Sequence, residues 1–186
     1  MLRRALAGPV VRAAVIALGL LAFGALRVEA GVREEIEARY DLLSKAFAAR
    51  DSAAILALRT PTCCIHFPGG ERDSADRARQ ALVHFLANNL PPIRIRFTIH
   101  SLQTPSPDVA VVDVFQQGSR YQMLAGKKRL VEHDVTQRDT WRRVNGVWLL
   151  TSIDDIRDRH RWVDSVPVDP SKPYDPEAKP FVPAKP

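Results

Sequence analysis

The sequence predicts an α+β domain in which three helices precede a mainly antiparallel sheet. Two patterns in its 186 residues support this prediction. Before Pro91, most apolar residues recur at helical spacing, and after Pro92 β-branched residues and alternation of apolar with polar side chains dominate. A chain that forms its helices first and its strands afterwards gathers the helices on one face of the sheet.

The helices are predicted from apolar stripes and from their end signals. The first spans residues 32–49, where apolar residues three or four positions apart form one stripe: Val32, Ile36, Tyr40, Leu43 and Phe47. A short second helix is capped by Asp51 or Ser52 and stops before Pro61, because the residue before a proline avoids helical geometry. The third helix is capped by Asp73 and ends at "NNLPP", and its shared apolar face consists of Ala78, Leu82, Phe85 and Leu86.

The strands are predicted from β-branched runs. The run "TCCIHF", between the second and third helices, is a strand closed by "PGG". In "IRIRFTIH" the isoleucines and Phe97 face one way, whereas Arg94 and His100 lie on the opposite, solvated face. The more continuous run "DVAVVDVFQQ" indicates an interior strand. Asp113 interrupts this run, and the pattern leaves open whether it reaches a pocket.

The last two strands, "VEHDVTQRDTWRRV" and "VWLLTSIDDI", are joined by "NG" at residues 145–146. This dipeptide is the strongest short signal for a two-residue type I′ turn between paired strands. The resulting register places Trp141 opposite Leu150 and Asp139 opposite Ser152, on the same face.

Residues 1–30 have the three parts of an export signal. A basic segment, the uncharged run "AAVIALGLLAFGAL" of 14 residues, and the small residues Val28 and Ala30 follow one another. The run is shorter than the roughly 18–20 apolar residues of a membrane span. We therefore expect cleavage before Gly31 and a mature protein in the periplasm or outside the cell, without a membrane contact. An uncleaved N-terminal anchor is the alternative.

The mature chain is predicted to hold one domain, residues 31–162, followed by a Pro-rich tail, residues 163–186. Seven prolines in the last 20 residues favour an extended, solvated conformation. The tail is interpreted as a spacer, a strap over the domain surface or a disordered terminus. Without residues 1–30 the chain keeps 23 basic and 20 acidic residues. A surplus of three charges, without a motif of a nucleic-acid reader, predicts no nucleic-acid partner.

The order of these segments resembles the nuclear transport factor 2-like (SnoaL-like) superfamily. The features that carry the resemblance are "ARYDLLSKAFAARDSAAILAL", a strand ending in "FPGGE", a helix, and "DTWRRVNGVWLL", over residues 32–156. The resemblance implies a cone-shaped fold, in which a curved sheet wraps the helices around an apolar pocket. Ketosteroid isomerases, dehydratases, epoxide hydrolases and cyclases share this fold, so the fold alone does not select a function.

The resemblance implies five pocket residues, among them Trp141. Aligned without gaps on "RDSAAI", the chain has Phe67 at the position of the isomerases' base and Leu43 at that of their tyrosine donor. Tyr40 lies one turn before Leu43 on the same helix face. Asp139 matches the second donor to the enolate oxygen. Phenylalanine cannot accept a proton, and Leu43 is not a tyrosine. Of the three functional positions, only that of Asp139 is therefore retained.

The two cysteines are adjacent, in "TCCIHF". On a strand, Cys63 points to one face and Cys64 and His66 to the other. A disulfide between neighbouring residues needs a strained peptide, and a zinc site needs three or four converging ligands. We therefore expect packed thiols and neither a metal nor a cofactor. An intermolecular disulfide through Cys64 stays open.

The sequence therefore predicts an exported domain that binds a small apolar molecule without catalysis, with a homodimer formed through the sheet face. The alternative is an isomerase, dehydratase or cyclase that acts on a small apolar substrate through Asp139 and Tyr40. Desolvation in an apolar site would raise the pKa of Asp139, whereas an ion pair with a strand arginine would lower it.

Overall fold

The computed structural model describes residues 30–67 and 72–182. The predicted export signal therefore lies outside the described residues except for its last position. Within them, helices α1 (residues 30–49), α2 (Ser52–Ala57) and α3 (Ala75–Asn88) pack against one sheet. None of the described helices is both long and apolar enough to span a membrane.

The sheet has seven strands in the order β2-β1-β6-β5-β4-β3, with β7 paired to β6. The strands are β1 (Arg59–His66), β2 (Arg72–Asp73), β3 (Leu90–Ser106), β4 (Val109–Leu124), β5 (Lys127–Val144), β6 (Val147–Val163) and β7 (Val166–Val168). All pairs are antiparallel except β1 with β6. The predicted fold class, α+β with helices on a curved and mainly antiparallel sheet, is confirmed.

The core lies between the helices and the inner face of the sheet. The five stripe residues of α1 are each at most 8% exposed. They pack with the alternate β4 residues Ala110, Val112 and Val114, which are fully buried, and with Trp141 and Leu150. On β3, Ile93 and Ile95 are buried whereas Arg94 and His100 are exposed, as the alternation predicts.

The capping residue predicted from the sequence is confirmed for α2 and is wrong for α3. Asp51 caps α2, and its side chain accepts a hydrogen bond from the Ala54 amide at 2.9 Å. The cap of α3 is Ser74, which accepts from the Arg77 amide at 3.3 Å. The prediction of Asp73 was wrong because this residue pairs with β1 and belongs to β2.

The hairpin between β5 and β6 has the predicted turn, with Asn145 and Gly146 both at positive φ. Trp141 lies opposite Leu150, as predicted. Beyond this pair the register shifts by one residue, so Asp139 lies opposite Ile153 and not Ser152. A β-bulge causes the shift. The bulge interrupts the alternation of β6, because Leu150 and Ile153, three positions apart, both pack against the core.

The segment expected as a tail contains a short strand. Residues 166–168 form β7, which pairs with the end of β6 through Val163 and Arg161. The chain then returns, and the Phe181 amide donates to the Pro167 carbonyl at 2.9 Å. This part of the Pro-rich segment is therefore attached to the sheet as far as the described residues extend.

Candidate functional site

Three polar side chains form a hydrogen-bonded chain inside the core. Tyr40 is on the apolar stripe of α1, and Asp139 and Trp141 are neighbours on the inner face of β5. The Tyr40 hydroxyl donates to Asp139 Oδ2 at 2.7 Å and accepts from Trp141 Nε1 at 3.2 Å. The Tyr40 ring also stacks on Phe97, with 4.7 Å between the ring centroids. The chain thus connects α1 to the sheet at the centre of the domain.

The second oxygen of Asp139 is also occupied by a protein group. Gln137, two residues earlier on the same face of β5, donates from Nε2 to Asp139 Oδ1 at 2.8 Å. Asp139 is 1% exposed, and both of its oxygens are held by donors of the protein. A carboxyl group in this position is shielded from solvent and already hydrogen-bonded.

Burial raises the pKa of Asp139 to about 7. The hydrogen bonds from Tyr40 and Gln137 and the charge of Arg59 act in the opposite direction, because each favours the ionised form. Desolvation outweighs them. The raised pKa has the direction that the sequence predicts for an apolar site, and no ion pair holds Asp139 ionised among the described residues.

The predicted pocket residues separate into two groups. The side chains of Tyr40, Leu43, Asp139 and Trp141 are at most 3% exposed and pack into the core. Phe67, at the end of β1, instead lines a cavity of about 440 Å³. The first four residues therefore fill the centre of the cone, because their rings and hydrogen-bonding groups pack against one another.

A cavity of about 270 Å³ lies between the helices and the sheet. Helix α3 supplies one wall with Ala78, Ala81, Leu82 and Phe85. The facing apolar side chains are Phe47 of α1, Ile65 of β1 and Ile95 of β3. Such a wall suits an apolar molecule.

Three polar residues complete this cavity: Arg59, Gln116 and His133. Gln116 Nε2 lies 3.1 Å from His133 Nε2. Burial, followed by the positive charges of Arg120 and Arg159, lowers the pKa of His133 to about 4, so that its ring is neutral at physiological pH. Burial also lowers the pKa of Arg59, and its Nε has no hydrogen-bond partner among the described residues.

The position of His133 depends on a glycine. Gly118 lies directly opposite His133 in the pairing of β4 with β5. A Cβ atom at Gly118 would be 2.2 Å from His133 Cε1, closer than any real contact. The pattern of apolar and polar residues does not identify this pair. A glycine inside the strand run "QQGSR" is the signal that indicates a close approach.

The cysteine pair lies as the alternation predicts. Cys63 belongs to the apolar core, and burial raises its pKa to about 11, which disfavours the thiolate. On the opposite face, Cys64 Sγ lies 4.0 Å from His66 Nε2, and His66 contacts Asp154. Both thiols are free. Cys64, His66 and Asp154 face away from the apolar cavity.

Asp113, whose facing the sequence left open, belongs to the outer face of the sheet. It accepts hydrogen bonds from Ser101 Oγ at 3.0 Å and from Arg138 Nε at 3.1 Å. Arg157 lies 3.7 Å from the same carboxylate. These charges form a surface network and do not contribute to the cavity.

The sequence matches no family model and no curated protein. Its architecture is nevertheless similar to that of solved structures. A proposed scytalone dehydratase from Novosphingobium aromaticivorans is 13% identical, with a TM-score of 0.62 over 86% of this chain and 99% of that one. A proposed dehydratase of the nuclear transport factor 2-like family from Streptomyces avermitilis is 18% identical, with a TM-score of 0.52 over 65% and 92% of the two chains.

The chain has the nuclear transport factor 2-like fold. The hexachlorocyclohexane dehydrochlorinase LinA-type3 from Novosphingobium barchaimii shares it, at 12% identity and a TM-score of 0.55 over 84% of this chain and 98% of that one. The resemblance stated from the sequence is thereby confirmed for the fold. At such low identity a shared fold does not transfer a reaction.

The Tyr40→Phe variant tests the buried chain of hydrogen bonds. Removing the hydroxyl leaves Asp139 Oδ2 and Trp141 Nε1 without their partner. We expect the free energy of unfolding in urea to fall by about 1–3 kcal/mol, the cost of buried polar groups left unsatisfied. Tyr121→Phe is the matched control, because Tyr121 lies on β4 and does not belong to this set of hydrogen bonds. It should cost less than about 0.5 kcal/mol. Equal losses in the two variants would show that the hydroxyl of Tyr40 contributes nothing specific.

The Asp139→Asn variant tests the raised pKa through stability. Between about pH 4 and pH 7 the folded protein retains a proton on Asp139 that the unfolded chain has lost. Stability therefore falls as the pH rises through this window. His133 acts oppositely, since its folded pKa of about 4 lies below its unfolded value, and it remains unchanged in the variant. The wild type should lose about 3 kcal/mol relative to Asp139→Asn from pH 4 to pH 7. A constant difference between the two proteins would contradict a raised pKa.

Proposed function

We propose that this chain binds a small apolar molecule in the 270 Å³ cavity and catalyses no reaction on it. The observation that carries the proposal is the composition of the cavity wall, with seven apolar side chains and only three polar ones. Burial of apolar ligand surface supplies affinity, and a few polar groups fix the orientation. The side-chain amide of Gln116, which has both a donor and an acceptor group, is suited to hydrogen-bond one polar atom of such a molecule.

The buried carboxyl group supports binding without catalysis. A general acid or base must lie within hydrogen-bond distance of the reacting atom. Both oxygens of Asp139 are instead taken by Tyr40 and Gln137, and Asp139 is not among the residues that line the 270 Å³ cavity. Its raised pKa is accounted for by burial within the core. The alternative of an isomerase, dehydratase or cyclase would need Asp139 and Tyr40 to contact a substrate rather than each other.

We also propose that the mature chain is exported and forms a homodimer through the outer face of the sheet. The tripartite pattern of residues 1–30 supports export. The outer face carries both signs of charge, in Asp113 with Arg138 and Arg157, so a second copy of the same face meets no large excess of one sign. Light scattering of the mature chain would reveal its mass, and a monomer at high concentration would contradict the dimer.

A narrower cavity tests the proposed function. Ala78 is 3% exposed and lines the cavity, so Ala78→Leu places three additional carbon atoms in it. Val83 is 56% exposed on the opposite side of the same helix, so Val83→Leu is the matched control. We expect calorimetry to show that naphthylacetamide, a neutral apolar probe, binds the wild type and Val83→Leu equally and Ala78→Leu at least about tenfold more weakly. Circular dichroism must show that both variants are folded. Unchanged binding in a folded Ala78→Leu variant would exclude this cavity as the site.

Intact-mass spectrometry of the native protein tests export. A cleaved signal predicts a mature chain that begins at Gly31 and is recovered from the periplasm or the medium. A soluble cytoplasmic protein that retains Met1 would contradict the proposal.

A further inference from the structure

A second cavity adjoins the apolar one and has a different chemical character. His133 lines both cavities. The second cavity, of about 440 Å³, is lined by three arginines: Arg120 from β4, and Arg159 and Arg161 from β6. Asp134 is the one acidic residue among the described residues of its wall, and it hydrogen-bonds His160 Nδ1 at 2.7 Å. The wall therefore carries an excess of positive charge.

Two of the arginines, Arg120 and Arg161, contact neutral groups. Arg120 donates from Nε to Asn89 Oδ1 at 2.7 Å, and its NH1 lies 2.7 Å from His133 Nδ1. Its guanidinium also lies 5.3 Å from the centroid of the Phe85 ring, which lines the apolar cavity. Arg161 donates from NH1 to the Lys172 carbonyl at 3.4 Å, and its buried Nε has no partner within residues 30–67 and 72–182.

Within residues 30–67 and 72–182, none of the three arginines forms an ion pair with a carboxylate. Burial, and then the charge of Arg161, lowers the pKa of Arg120 to about 10. Burial lowers the pKa of Arg161 as well. Groups whose positive form is disfavoured in this way are stabilised when an anion binds between them. Arginine is suited to this role because its planar fork of N–H groups matches the two oxygens of a carboxylate.

We propose that the molecule in the apolar cavity carries a carboxylate, which the cluster of Arg120, Arg159 and Arg161 binds at the junction of the two cavities. The apolar body lies against α3, and the acidic group passes His133 into the basic cavity. The inference rests on the proposed function, because it assigns the chemical class of the ligand that the same cavity binds. It identifies this ligand as a small aromatic or aliphatic acid.

Two probes of nearly equal shape test this inference by calorimetry at neutral pH. Naphthylacetate has a carboxylate where naphthylacetamide has a neutral amide. The wild type should bind the acid at least about tenfold more tightly than the amide, since a hydrogen bond to a charged group is worth more than one to a neutral group. Arg159→Gln and Arg161→Gln should each weaken binding of the acid roughly tenfold and change binding of the amide less than about twofold. Arg142→Gln, an exposed arginine on the outer face of β5, is the control and should change neither.

The outcomes separate this inference from the proposed function. If the two probes bind equally and Ala78→Leu weakens both, the proposal that the ligand carries a carboxylate is wrong, whereas the apolar cavity remains the binding site. A third outcome is that the preference for the acid over the amide is lost in Arg59→Gln and kept in Arg159→Gln and Arg161→Gln. That result would place the acidic group at Arg59 and contradict the basic cluster as its site. If neither probe binds the wild type, both proposals are wrong.

Discussion

The hydrogen bond between Tyr40 and Asp139 is the contact on which the rest of the structure depends. Asp139 is fully buried, and a buried carboxyl group is tolerated only when its oxygens have donors or its charge is removed. Tyr40 supplies a donor from α1, and Gln137 supplies one from β5. This requirement fixes which face of α1 meets the sheet, and so places the remaining stripe residues of the helix in the core.

The same contact divides the interior of the cone into two parts. Around Asp139, the rings of Tyr40, Trp141 and Phe97 fill the space and leave the carboxyl group without access to a bound molecule. Further along the strands, two small residues leave space for the apolar cavity and for the ring of His133. Ala78 on α3 opens the apolar cavity, and Gly118 on β4 allows the ring of His133 to lie against the sheet. We therefore propose the cavity at His133 as the binding site, whereas Asp139 packs inside the core.

Much of the fold could be predicted because periodicity records which face of each element is buried. The stripe of α1, the alternation of β3 and the "NG" turn all predict local geometry that the structure has. The shift that moves Asp139 from Ser152 to Ile153 depends on a bulge, and a register counted from the "NG" turn assumes that no residue is inserted between the paired strands. The candidate site was harder to predict, since His133, Arg120 and Arg161 come together only through strand pairing and twist. The resemblance indicated Asp139 as a pocket residue, but its own neighbours decide its role.

The central claim is that burial raises the pKa of Asp139 while Tyr40 and Gln137 hold its carboxyl group. Its most direct test is the titration of the Asp139 carboxyl carbon by NMR in the wild-type protein, with Asp139→Asn to assign the signal. The account predicts a midpoint near pH 7, because desolvation dominates the environment of this carboxyl group. A midpoint below the unperturbed value of about 3.9 would show that Asp139 is ionised and paired with a cation, and would contradict the account.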